Sequence, residues 1–186
     1  MGYTTYFNGS LKFNKDVTVE LQEYINRFSR TRRMPRDNEK IKEIYPNWKD
    51  LCFFGELGIM GEYFAPHTHN YDDSIIDHNG FRVSVHPGLW CQWVIEGNEL
   101  VWDGGEKFYN YIDWLDYLIE NFFDPLGYKL SGDITWEGED SDDCGTIHVA
   151  NNFVEIKYGI HAYSMDDVDT DDMIKELEKR GYKVTA

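Results

Sequence analysis

The sequence predicts an α+β fold: a single domain over 1–186, with an antiparallel β-sheet and about three helices packed on one face. Three observations carry this. Two long segments repeat apolar residues at helical spacing. Several short runs are rich in β-branched and aromatic residues and are bounded by Gly, Asn or Pro. Tight turns at 96–98 and 151–152 join neighbouring runs, which is how antiparallel strands are connected. A length of 186 residues suits one such domain.

The elements follow in order. Residues 3–13 (YTTYFNGSLKF) make a strand, with Asn8-Gly9 suggesting a kink or tight turn. A helix is predicted from about 18 to 30, because Leu21, Tyr24, Ile25 and Phe28 fall on one face, and Pro35 prevents simple continuation. Residues 36–50 are polar and ambiguous, with room for a short helix, and 55–88 is a long Gly-, Asp- and His-containing stretch with little periodicity. Loops of that length inside a domain are usually functional or mobile.

The second half is more regular. Residues 89–95 make a strand and 99–102 its return. Asp103 and Glu106 are spaced as a capping box, which predicts a helix from there to about Phe123, ended by Pro125 and Gly127. Its core face would be Phe108, Tyr111, Ile112, Leu115, Leu118, Ile119 and Phe122. Strands follow at about 128–137, 146–150 and 153–158, then a last helix at about 171–180, capped by Asp169 or Thr170 and stopped by Gly181.

Charge narrows the function classes. The chain has 34 acidic and 18 basic residues, a formal net charge of −16. Residues 1–93 hold 12 acids and 11 bases, whereas 94–186 hold 22 acids and 7 bases. Such acidity disfavours direct nucleic-acid binding and anionic membranes, and points to a basic partner, a cation or solubility. An aromatic content of 16% argues against a disordered acidic tail. No apolar run is long enough to cross a membrane, the N-terminus lacks signal-peptide character, and the three cysteines form no C-x-x-C pair. A cytoplasmic protein with free thiols is expected.

Four constellations could carry chemistry. His67 and His69, with Asp72 and Asp73 and then Asp77-His78, have alternation that suits Zn²⁺ or Mn²⁺; a polar surface loop with solvated histidines is the simpler alternative. The 137–143 loop, with Glu137, Glu139, Asp140, Asp142 and Asp143, has the oxygen ligands of a Ca²⁺ or Mg²⁺ site, or is a solvated turn. Its carboxylates are also expected to join those of the long helix in binding a basic partner. Arg32, Arg33 and Arg36 lie in a cluster of five arginines over 27–36, which could grip an anionic ligand or pair with the chain's own acids. Asp113, Asp116 and Glu120 share one stripe of the long helix, spanning about 10 Å, with Trp114 and Tyr117 flanking it outside the apolar arc. Aromatic rings beside ordered carboxylates suit a protein interface. No nucleophile elbow, phosphate loop or dinucleotide motif is present.

Residues Trp102-Asp103-Gly104-Gly105-Glu106-Lys107-Phe108-Tyr109, Trp136-Glu137-Gly138-Glu139-Asp140-Ser141-Asp142-Asp143 and Arg32-Arg33-Met34 resemble motifs of a family of small uncharacterised bacterial and phage proteins. The resemblance implies a prokaryotic or phage cytosolic setting and no particular activity. Two expectations result. One is a non-enzymatic, cofactor-free acidic protein that occupies a basic site on a partner protein, of the immunity or phage anti-defence type. The other is a divalent-metal-dependent hydrolase, or a small-ligand domain, using the 67–78 and 137–143 loops.

Overall fold

The computed structural model describes residues 2–66, 71–80 and 84–159. Six strands make one antiparallel sheet: Thr5–Phe13 (β1), Trp93–Glu96 (β2), Glu99–Trp102 (β3), Leu130–Gly138 (β4), Cys144–Ala150 (β5) and Phe153–Tyr158 (β6). Their order is β2-β3-β1-β4-β5-β6, so the first strand of the sequence sits inside the sheet, between β3 and β4. Three α-helices accompany them: Val19–Ser29 (α1), Asn38–Ile44 (α2) and Tyr111–Leu118 (α3). The predicted α+β class holds. The predicted final helix at 171–180 lies outside the described residues.

Strand alternation sets the core. Leu11 and Phe13 of β1, Leu130, Ile134 and Trp136 of β4, and Ile147 and Val149 of β5 are buried on one face, against α1 and α3. The opposite face carries Lys12, Asp133, Thr135 and the His148–Asp133 pair, and is polar. Asn8-Gly9 does not turn: β1 runs through it in register with β4. Gly9 has φ 112°, and a Cβ there would lie 2.4 Å from the Asp133 carbonyl oxygen. The glycine marks close backbone approach, not a bend.

Helix α1 forms as its spacing predicts, with the Thr18 hydroxyl accepting from the Leu21 N–H at 3.3 Å and Leu21, Tyr24, Ile25 and Phe28 buried. It also shields the sheet edge. Asn26 Oδ1 accepts the Ile95 N–H at 2.7 Å, Asn26 Nδ2 donates to the Ile95 carbonyl at 2.9 Å, and Ser29 Oγ donates to the Trp93 carbonyl. These side chains satisfy β2 where a further strand would otherwise pair.

The capping box at Asp103 does not form. Asp103 instead accepts the Gly105 N–H at 2.8 Å, Lys107 and Asn110 both take positive φ, and α3 begins only at Tyr111. Phe108 still reaches the core, 2% exposed, but from the loop, where it packs edge-on against Phe7 and Trp93. With the chain free to turn at Gly104, burial of that ring outweighs an early helix start. Helix α3 continues through a π-helical turn at Ile119–Phe123 and a 3₁₀ turn at Asp124–Leu126, ended by left-handed Gly127 as predicted.

The stretch between α1 and β2 is organised by a small second core. Ile41, Cys52, Leu57 and Phe64 are buried together under Tyr45, Trp48 and Leu51. Helix α2 settles the ambiguous 36–50 segment, with Asp37 capping it through the N–H groups of Glu39 and Lys40. Of the predicted strand at 89–95, only the part from Trp93 onward is strand.

Candidate functional site

The acidic stripe of α3 is exposed as its spacing predicts: Asp113, Asp116 and Glu120 all face solvent. What faces it comes from elsewhere in the chain. Glu62, together with Ser84, Val85 and Pro87, completes an open groove of about 340 Å³ with Asp113, Asp116, Tyr117, Glu120 and Asn121. The Tyr117 hydroxyl donates to Glu62 Oε1 at 3.0 Å and the Ile59 N–H reaches Oε2 at 3.4 Å. Tyr63 donates to Asn121 Oδ1 at 3.4 Å, and Asn121 Nδ2 to the Tyr117 carbonyl at 2.9 Å, which ties the 62–63 turn to the helix.

The electrostatics follow from this crowding. Partial burial, then Glu120 and Asp113, raise the Asp116 pKa above the usual carboxylate value. Burial and the neighbouring Glu62 raise that of Tyr117, which therefore stays a neutral donor. Among the described residues none of Glu62, Asp113, Asp116 and Glu120 makes an ion pair. Among the described residues the groove is a site of uncompensated negative potential. Its carboxylates attract positive charge.

Trp114 is the first correction. It is fully buried, packed on Phe28, His86 and Tyr117, and cannot contact a partner. Tyr117 is half-buried and stacks on Phe28. Helix α3 is buried on two sides, by the sheet and by a layer of α1 and loop, so its apolar arc is wider than one stripe. Glu62 is the residue that sequence reasoning misses. It lies in a non-periodic loop, and nothing local marks its approach to Tyr117.

The 137–143 loop is largely committed to its own structure. Asp143 accepts from the Tyr3 hydroxyl at 2.7 Å and from Trp136 Nε1 at 3.0 Å, and Glu139 accepts the Thr4 N–H at 2.8 Å. Two of its five carboxylates thus knit the N-terminal segment to the sheet end, leaving Glu137, Asp140 and Asp142 to solvent. That is not a cation cage. Of the 67–78 set, His67 and His69 lie outside the described residues. Asp72 is not a free ligand: it pairs with Arg36 Nη1 at 2.8 Å and accepts from Tyr45 at 2.7 Å and from Ser74. These bonds outweigh its burial and hold its pKa down at about 2. Asp73 is exposed and is not drawn into that network. Among the described residues no three His, Cys, Asp or Glu side chains converge as a metal site.

The arginines separate. Arg36 is buried and neutralised by Asp72. Among the described residues Arg33 is buried without a paired carboxylate, and Arg32 is half-buried with its Nε unpartnered. Neither the expected surface grip nor general internal pairing describes them, because the 30–36 segment threads between the two cores. Among the described residues no helix is long and apolar enough to cross a membrane. No family model matches the chain, and no curated protein or solved structure matches it either.

Proposed function

We propose that the chain is a non-enzymatic acidic binding protein whose groove along α3 receives a basic segment of a partner protein. The observation that carries this reading is the groove itself, in which Glu62 and the Asp113, Asp116 and Glu120 stripe, from two distant parts of the sequence, converge with no ion-pairing cation among the described residues. Carboxylates held on a rigid helix can stand in for phosphates at a basic site, and a net charge of −16 speeds encounter with such a partner. Inhibition of a host nuclease or defence factor, or immunity against a toxin, is the biological form this takes. Three free cysteines support a cytoplasmic setting.

Immobilised protein and an Asp113→Lys, Asp116→Lys variant would be exposed to host lysate, and the captured protein identified, purified and titrated. Affinity should fall at least tenfold on charge reversal and fall again with salt. Asp116→Asn should leave folding stability within about 0.5 kcal/mol, since an exposed, repelled carboxylate stabilises little. A purified partner that binds the reversed variant as tightly, with no dependence on salt, refutes the reading.

A further inference from the structure

Directly behind the groove lies an unbalanced charge. Arg33 is 2% exposed and, among the described residues, has no carboxylate within ion-pair distance. Its Nε donates to the Thr31 carbonyl at 2.9 Å, its Nη1 reaches the Glu62 carbonyl only at 3.5 Å, and its Nη2 has no partner. The guanidinium lies 4.2 Å over the Phe28 ring, which is a weak substitute for an anion. Two carbonyls are all that five N–H donors receive. A buried charge left with only neutral partners costs several kcal/mol, and among the described residues no carboxylate has been brought to it.

The neighbouring groups cannot neutralise it. His86 is 5% exposed, and its Nε2 lies 3.1 Å from the same Glu62 carbonyl, so that nitrogen carries the proton. Burial, and then Arg33 itself, push the His86 pKa down to about 3, which keeps the ring uncharged. Trp114 Nε1, on a ring 5.9 Å from His86, is a second buried donor without a partner. Arg33 and His86 line a cavity of about 10 Å³ with Pro35, Met60 and Val85. That is room for roughly one water-sized particle, and it excludes phosphate or a carboxylate ligand. A water there would meet mostly apolar walls and leave the charge standing. A halide needs one donor and one positive charge, and both are present.

We propose that Arg33 binds a small inorganic anion of halide size, such as chloride, in this cavity. The anion would lock the Arg33 and Glu62 segments together and so stiffen the wall of the acidic groove. The full-length chain would be melted at fixed ionic strength while sodium gluconate is replaced stepwise by sodium chloride or bromide. A saturable rise in Tm is expected. A crystal soaked in bromide should show anomalous density in the cavity, within hydrogen-bond reach of Arg33 Nη2. Val85→Phe, which fills the cavity and keeps the arginine, should abolish the halide dependence, as should Arg33→Met. A Tm that follows ionic strength alone, or a halide effect that survives Val85→Phe, overturns the proposal. Should both variants fail to fold, the bromide soak decides, and an empty cavity or one holding only water sinks it.

Discussion

Asn26 tests the argument that α1 closes the edge of the sheet. Its amide forms two bonds with one residue, accepting the Ile95 N–H at 2.7 Å and donating to the Ile95 carbonyl at 2.9 Å. Ile95 is fully buried, so water cannot replace either bond. Asn26→Leu keeps the volume but strands the Ile95 N–H, at a cost of about 1–3 kcal/mol. The carbonyl keeps Gln22 Nε2 at 3.1 Å, so losing its second donor adds only about 0.5–1 kcal/mol. The total, about 1.5–4 kcal/mol, is a large part of the ~5–15 kcal/mol that holds a domain folded. Asn26→Asp should be worse than Asn26→Leu at neutral pH, because it sets a carboxylate against the Ile95 carbonyl. Urea unfolding gives the free energies, and amide exchange at Ile95 reports the local effect. A loss below about 0.5 kcal/mol for Asn26→Leu, with Ile95 protected as in the parent, refutes the reasoning.

Other outcomes follow from the buried charges. Asp72 has a folded pKa of about 2 against an ordinary 3.8, so its contribution is complete above about pH 4 and is lost as pH falls toward 2. Stability curves of the parent and of Asp72→Asn should therefore converge over that window, by ~2 kcal/mol; parallel curves would contradict it. Arg36→Met leaves Asp72 half-buried and unpaired, and should cost about 3–5 kcal/mol by urea unfolding. His86 is neutral when folded and protonates freely when unfolded, so it makes stability fall as pH drops from 6.5 toward 3. NMR should find its ring untitrated at pH 5, and His86→Phe should flatten that slope; a His86 that titrates near 6.5 would refute the buried placement.

Much of the fold is legible in local pattern. Apolar spacing places α1 to within a residue, and β-branched and aromatic runs bounded by turn residues place β1, β4, β5 and β6 to within two residues, with the hairpin at Asn151-Asn152. Where that reading fails, a distant contact has won. The capping residues at Asp103 and Glu106 are sound local signals, but Phe108 is drawn into the core between Phe7 and Trp93, and the helix starts later. Trp114 sits beside an acidic stripe in the sequence, yet a second layer, from Phe28 and His86, covers it. Asn8-Gly9 carries the composition of a turn, and only its pairing with Thr135 and Ile134 reveals a continuous strand whose backbone comes close to the Asp133 carbonyl.

The sequence by itself determined the α+β class, the amphipathic face of α1 and the carboxylate stripe on α3, because each is a periodicity of 2 or 3.6 residues within one element. Tertiary structure decided which charges remain uncompensated. Asp72 and Arg36, both in non-periodic stretches, find each other at 2.8 Å and cancel. Glu62 crosses to Tyr117 and turns a stripe into a groove. Arg33 is carried inside with no acid paired to it among the described residues. Charge balance depends on distances between residues far apart in the chain, and those distances exist only once the two cores have packed.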